Sequence, residues 1–291
     1  MKPASFKYIA ASSLDHALSA KSQYGDEAKF LAGGQSLVPA MNFRLARPAV
    51  LIDLNPLAEL SYVADDADGV RVGALTPYCD LERNARFLNL CPLFADALPH
   101  IAHPQIRNRG TIGGNLSHAD PASELPALAI AMQARFRIRS STAEREVSAA
   151  DFFLGLLTTD IQDDEMLVEI VYPAATAGSG SCFMEVARRR GDYALAGVAA
   201  IIAVSDQGIC TEARLALCGV GDTPVEASHV AAALIGQRVT TKALAGVADR
   251  VREMIDPPGS VHGTPDYQRH IAGVLTERAF GCAFERARHA A

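Results

Sequence analysis

Two glycine pairs, at 33–34 and 113–114, constrain this chain more than any other feature. The first stands in Phe30-Leu31-Ala32-Gly33-Gly34-Gln35-Ser36-Leu37, the second in Arg109-Gly110-Thr111-Ile112-Gly113-Gly114-Asn115-Leu116. A residue without a Cβ lets backbone N–H groups come up against a ligand. One Gly-Gly pair reads equally well as a tight strand-to-helix turn. Two pairs, each with a small polar residue at its exit (Ser36 and Asn115), point to a clamp for a diphosphate, and so to a dinucleotide cofactor rather than a simple phosphate ester.

The flanking patterns say what kind of scaffold carries the first pair. Leu14 to Tyr24 reads as a helix, with Ser13 as N-cap and Gly25 as its stop. Lys29 to Ala32 and Val50 to Leu54 read as buried strands, with a helix from Leu37 to about Leu45 between them. Ser36 is expected to cap that helix, whose first turn tolerates Pro39. Gly33 to Ser36 thus fall at a helix N-terminus, where free amides and the dipole favour an anion. The spacing is not G-x-G-x-x-G, so no Rossmann fingerprint is present.

Past residue 58 the character changes. Gly69 to Leu75 alternates like a half-exposed strand, and helices are expected at Tyr78–Asn84 and Pro92–Ile101. Strands are expected at 134–139 and 166–171, then a boundary turn at Gly178-Ser179-Gly180-Ser181. Strand-like runs follow at 182–187, 194–204 and 209–218, and helices at 225–235, 240–254 and 265–289. The organisation expected is three units: 1–57, an α/β subdomain; 58–177, a second subdomain; and 178–291, a sheet with helices.

Composition narrows the chemistry. A net charge of −6 and the absence of Trp give no footprint for nucleic acid. No apolar run is long enough for a transmembrane helix, and Met1-Lys2-Pro3-Ala4-Ser5-Phe6 lacks a secretory core, so a cytoplasmic location is expected. The six cysteines form no C-x-x-C pair, which argues for reduced, buried thiols and against an iron–sulfur cluster within this chain. His100-x-x-His103 has ligand-like spacing but nothing to complete a metal site, and none is expected. No G-x-S-x-G elbow or Walker A sequence occurs. Asp120 and Glu124 follow the second pair; they read either as helix caps or as acceptors for sugar or ribityl hydroxyls. The chain offers a cradle without catalytic side chains, as expected where a cofactor carries the chemistry.

Ala32-Gly33-Gly34-Gln35-Ser36-Leu37-Val38-Pro39, the run from His103 to Asn115, and Ala119-Asp120-Pro121 resemble the FAD-binding medium subunits of molybdenum hydroxylases. That group includes aerobic carbon monoxide, nicotine and caffeine dehydrogenases and the quinoline oxidoreductases, and is related to the FAD domain of xanthine dehydrogenase. Arg188-Arg189-Arg190-Gly191-Asp192-Tyr193-Ala194, Val261-His262-Gly263 and Tyr267-Gln268-Arg269 agree, so the resemblance spans essentially the whole chain.

It implies an α+β, PCMH-type FAD-binding fold: a small N-terminal α/β unit, a larger α+β unit, and a C-terminal antiparallel sheet with helices. FAD would lie between the first two units. Pyrophosphate contacts would come from Ala32, Gly33, Gly34, Gln35 and Ser36 and from Thr111, Ile112, Gly113, Gly114 and Asn115, with Leu37 beside them. Ile101, Leu167 and Tyr193 would approach the flavin, and Glu124, with Asp120 as second choice, would bind FAD hydroxyls. Met184 would replace a lysine that xanthine-dehydrogenase-like relatives carry near the flavin. The implied partners are a large molybdenum–pterin subunit, a small subunit with two [2Fe-2S] clusters, and an external electron acceptor, in a dimer of three-subunit units. Two other readings stay open at this stage: a stand-alone FAD-dependent oxidase or reductase, and a nucleotide-binding scaffold without redox activity.

Overall fold

The computed structural model describes residues 1–67 and 69–290. The first unit is a three-stranded parallel sheet built from β1 (Lys7–Ala10), β2 (Ala28–Leu31) and β3 (Val50–Asp53), in the order β1-β3-β2. Helix α1 (Leu14–Tyr24) makes the first crossover. Its Ser13 cap accepts a hydrogen bond from the His16 amide, and Gly25, at φ +50°, ends it. Ala17 and Leu18 pack beneath the sheet with no exposure. Helix α2 (Leu37–Asn42) is shorter than expected, because Arg44 turns to φ +59° and the amides of Leu45 and Ala46 both reach back to the Ala40 carbonyl. Since the strands are parallel, β2 and β3 deliver the first glycine turn and Asn55 to one edge of the sheet, the carboxyl edge where such sheets bind ligands.

The second unit is an antiparallel sheet, β4-β5-β10-β6-β7. Its strands are β4 (Val63–Asp66), β5 (Gly69–Gly73), β6 (Arg135–Arg139), β7 (Glu144–Ser148) and β10 (Met166–Pro173). The alternation read for Gly69 to Leu75 is present in β5, where Val70 and Val72 enter the core and Arg71 between them is half-buried on the other face. Strand β5 lies between β4 and β10, and all of it except Arg71 is buried. Helices α3 (Tyr78–Arg83), α4 (Ala85–Leu90), α5 (Leu93–Ala97), α6 (Pro104–Arg107), α7 (Ile112–His118) and α8 (Glu124–Ala131) link β5 to β6. Helix α5 stops well short of the expected Ile101. A small appendage, α9 (Ala149–Phe152) with the hairpin β8 (Phe153–Gly155) and β9 (Thr158–Thr159), precedes β10. Phe87, Phe94 and Tyr172 pack edge-on at centroid separations of 4.8 and 5.1 Å. All eight residues of α8 are buried, Glu124 included, because the helix is enclosed by the second unit's core on one side and by the third unit's sheet on the other.

The third unit is an antiparallel meander of β11 (Ser179–Ala187), β12 (Ala194–Val204), β13 (Cys210–Cys218) and the short β14 (Val225–Glu226). Helices α10 (Ser228–Ala231), α11 (Thr241–Met254) and α12 (Pro265–Ala290) follow. The expected continuous helix over 225–235 is instead β14, α10 and a 3-10 turn. Only Gly178, at φ +71°, behaves as the expected boundary turn. Ser179 to Ser181 already belong to β11, where a Cβ on Gly180 would stand 2.0 Å from the Ala283 carbonyl oxygen. That glycine admits α12 onto the sheet rather than loosening the chain. Strand alternation gives this sheet two different faces: Phe183, Ala199 and Cys218 join the second unit's core, while Cys182, Val198 and Leu217 join the C-terminal helices.

Candidate functional site

The two glycine turns touch. A Cβ on Gly33 would lie 2.1 Å from the Arg109 carbonyl oxygen and 2.9 Å from the Gly110 Cα, and one on Gly114 would lie 3.6 Å from the Ala32 Cβ. The first turn hangs between β2 and α2, and Gly34 takes φ +72°, a conformation glycine adopts without strain. Among the described residues, none of the amides of Gly33, Gly34, Gln35, Ser36 and Leu37 donates to a protein acceptor. Unpaired amides in a row are costly unless water or a ligand accepts them, so the turn is built to receive an acceptor-rich group. Asn55 holds the turn from the side, its Nδ2 donating to the Ala32 carbonyl at 3.1 Å. Asp53 fixes Asn55 in turn, accepting from its Nδ2 at 2.5 Å and from the Tyr8 hydroxyl at 2.5 Å. Ser36 does not cap α2 through its side chain as expected.

The second turn works differently. Its amides are largely spent on its own fold: Ile112 donates to the Thr76 carbonyl, Gly113 to the Ala74 carbonyl at 2.8 Å, and Gly114 to the Thr111 hydroxyl, which caps α7. A Cβ on Gly113 would meet Ala74 at 2.5 Å. Gly113 therefore has no Cβ because α7 packs directly on the strand edge, and the open donors belong mainly to the first turn. The Asn115 Oδ1 accepts from the Ser123 hydroxyl at 2.8 Å, which ties α7 to the start of α8.

The remaining residues gather around these turns. Asp120 accepts from the Ala122 amide and shapes the loop into α8. The Gly219 amide, donating to the Pro121 carbonyl at 2.8 Å, docks this loop on the end of β13. Tyr193 is 58% exposed as a residue, yet its hydroxyl turns inward toward Ser36 and Asp120. Burial of that end, with the charges of Asp120 and Glu124, raises its pKa. Glu124 is 4% exposed, and its carboxyl is pushed up to about 8, first by burial and then by the charges of Glu185 and Asp120. The buried Ile101 precedes Ala102, against whose carbonyl Gly191 of the Arg-Arg-Arg-Gly-Asp-Tyr loop packs. Arg107 clamps the Ile101 and Ala102 carbonyls at 3.1 Å each. Leu167 is buried in β10 and reaches the cradle at one remove, through the Val168 carbonyl that accepts from the Ala74 amide. His100 and His103 part company: His100 pairs with Glu185, and the His103 Nδ1 lies beside Gly191.

Two features escaped the sequence reading. Asn55 looked like the end of a strand, and only the parallel pairing of β2 with β3 reveals that it anchors Ala32. Met184 packs against the C-terminal core, on the face of β11 away from the cradle, whereas the next residue, Glu185, turns toward Glu124. Alternation along the strand, not closeness in the motif, decides which of the two faces the site.

The comparisons with known proteins cover the same ground. Residues 4–175 match the FAD binding domain in molybdopterin dehydrogenase, and residues 181–283 match the CO dehydrogenase flavoprotein C-terminal domain. The chain is 38% identical to the 6-hydroxypseudooxynicotine dehydrogenase complex subunit alpha of Paenarthrobacter nicotinovorans, over 99% of this chain and 97% of that one. It is 39% identical to the caffeine dehydrogenase subunit beta of a Pseudomonas species, over 99% and 98%. Among solved structures, carbon monoxide dehydrogenase from Hydrogenophaga pseudoflava superimposes with a TM-score of 0.95 at 38% identity, covering 98% of this chain and 99% of that one. Quinoline 2-oxidoreductase from Pseudomonas putida gives 0.93 at 34% identity, over 99% and 100%. With both family models matched in order and the whole length shared, the chain belongs to the FAD-binding medium subunits of the molybdenum hydroxylases.

Proposed function

We propose that this chain binds FAD in the cradle between its first two units and serves as the electron outlet of a molybdenum-dependent dehydrogenase. The observation that carries the reading is the row of unpartnered amides from Gly33 to Leu37, closed against a second turn through a glycine. Those amides fit the oxygens of a diphosphate without requiring a lysine. The assignment takes the three units as 1–57, 58–177 and 178–291. It gives the diphosphate to Ala32, Gly33, Gly34, Gln35 and Ser36, with Thr111, Ile112, Gly113, Gly114 and Asn115 closing the other side and Leu37 beside them. Glu124 and Asp120 take hydroxyl groups, and Ile101, Leu167 and Tyr193 border the ring. When bound, FAD supplies the redox chemistry. The chain's own residues bind and orient it, and none acts as a general acid or base.

In this reading electrons come from two [2Fe-2S] clusters on a small partner subunit and leave to an external acceptor. A large partner subunit holds the molybdenum–pterin centre, the complex is a dimer of three-subunit units, and it resides in the cytoplasm. No helix among the described residues is long and apolar enough to cross a membrane. The stand-alone oxidase reading is not favoured, because the relatives matched over nearly their full length are subunits or chains of larger dehydrogenases. The test is the visible spectrum of the protein purified with its partners. Flavin bands near roughly 370 and 450 nm are expected, with FAD released on denaturation. A chain that stays colourless and takes up no added FAD overturns the reading.

A further inference from the structure

Gln268, near the start of α12, is 3% exposed, and its side chain ties together three separate segments. Its Nε2 donates to the Leu195 carbonyl at 2.8 Å and to the Gly219 carbonyl at 2.8 Å, and its Oε1 accepts from the Gly259 amide at 2.9 Å. Reversing the side-chain amide would set Oε1 against two carbonyls and Nε2 against an N–H, so the three partners fix its orientation. Packing of α12 on the sheet is already supplied by Ile271, Ala272, Leu275 and Phe280. A buried primary amide adds little to that packing, and its donors and acceptor are what the position uses.

Both carbonyls belong to segments that border the cradle. Leu195 follows directly on the Arg-Arg-Arg-Gly-Asp-Tyr loop, whose Gly191 is pressed onto the stretch after Ile101: a Cβ there would lie 2.7 Å from the Ala102 carbonyl oxygen and 2.8 Å from the His103 Nδ1. The segment holding Gly259 also reaches the other end of that loop, where the His262 Nδ1 lies 3.4 Å from the Arg188 Nη1. Gly219 follows β13 at φ +77°, and a Cβ on it would stand 2.6 Å from the Ala194 carbonyl oxygen. Its amide donates to the Pro121 carbonyl, and two residues on the Ser123 hydroxyl donates to the Asn115 Oδ1 of the second glycine turn. Three hydrogen bonds of 2.8 Å each therefore lead from α12 through Gly219 and the Pro121 loop to Asn115.

We propose that Gln268 is a positioning residue for the FAD site: its one amide group sets the Pro121 loop and the Arg-Arg-Arg-Gly-Asp-Tyr loop against the second glycine turn, so that α12, which has no assigned contact with FAD, helps to shape the site. This deepens the FAD reading and rests on it. With the amide gone, the Leu195 and Gly219 carbonyls and the Gly259 amide lose their partner, and the two loops are free to relax. FAD must then order them as it binds, and that ordering lowers its affinity.

The experiment compares Gln268→Met with Gly180→Ala in the full chain. Methionine keeps the length of the side chain and removes both donors and the acceptor. Gly180→Ala strains α12 against β11 at Ala283, toward the far end of the helix, and controls for simple loosening of the third unit. Fluorescence titration should show FAD bound at least about fivefold more weakly by Gln268→Met, the lower end of coupling between sites, and with wild-type affinity by Gly180→Ala. Wild-type affinity in Gln268→Met, or an equal loss in the two variants, overturns the role. Linkage also requires the converse: FAD must make the Gln268 contacts harder to break. Hydrogen exchange of the wild-type chain, which decides the matter if Gln268→Met does not fold, should show the Gly259 amide slowed about fivefold or more by saturating FAD, relative to the amides of α11. Exchange at Gly259 that FAD leaves unchanged overturns the coupling. Absence of FAD binding by the wild type would instead overturn the cofactor assignment.

Discussion

Gly33→Ala tests whether the cradle depends on contact between the two turns. The added methyl would stand 2.1 Å from the Arg109 carbonyl oxygen, 2.8 Å from its carbon and 2.9 Å from the Gly110 Cα, against about 3.4 Å for an ordinary contact. All three neighbours are backbone, so no side chain can swing away. The turns must part, and the second is held by the Ala74 and Thr76 carbonyls while the first is held by Asn55. Overpacking of this kind costs about 1–3 kcal/mol. If the relaxed chain rests with its turns apart, FAD must close them again, and the same energy becomes a roughly 5- to 150-fold loss of affinity. Gly246→Ala is the control. It lies within α11 with nothing inside 4 Å, and alanine there should be neutral or stabilising by up to about 1 kcal/mol. Fluorescence titration with FAD and a thermal melt of the apo chain measure both quantities. A Gly33→Ala chain with wild-type affinity and wild-type melting temperature would refute the claim that the turns must touch.

Three further outcomes follow from the same geometry. Asn55→Ala frees the Ala32 carbonyl and one side of Asp53, and should weaken FAD binding by about 1 kcal/mol, read in the same titration, with little change in the rest of the fold. Gly180→Ala puts a methyl 2.0 Å from the Ala283 carbonyl oxygen and 2.5 Å from the Ala287 nitrogen, so α12 must shift; about 1–3 kcal/mol of stability should be lost in denaturant unfolding while FAD affinity holds. The raised pKa of Glu124 also predicts a pH slope for the apo chain. The folded state keeps a proton up to about 8 that the unfolded state releases near 4.5, so this residue's contribution to stability declines as pH rises between those values. Glu124→Gln should flatten the melting temperature across that window, and a variant with the wild-type slope would contradict the assignment.

Local signals carried much of the first unit. Ser13, Gly25 and the apolar run at 50–53 act through neighbours in the chain, and their helix and strand emerge close to the ends read from them. Where tertiary contact overrides local pattern, the reading failed. Gly73 carries no side chain because Leu60 lies across it, its carbonyl oxygen 2.3 Å from where a Cβ would stand, and Gly180 resembles a linker until α12 is laid across it. The glycine pairs were found for a reason only half right. They mark the cradle, yet Gly33 and Gly113 lack side chains chiefly so that backbone can meet backbone, and the open amides cluster in one turn rather than two. The hardest residue to see was Glu185. A motif read along the chain draws attention to Met184, but a strand turns every second residue to the opposite face. With Phe183 already committed to the second unit's core, Met184 must face the C-terminal helices and Glu185 must face Glu124. The charge beside the cradle is therefore set by the parity of β11, which is fixed only once the sheet is packed between two cores.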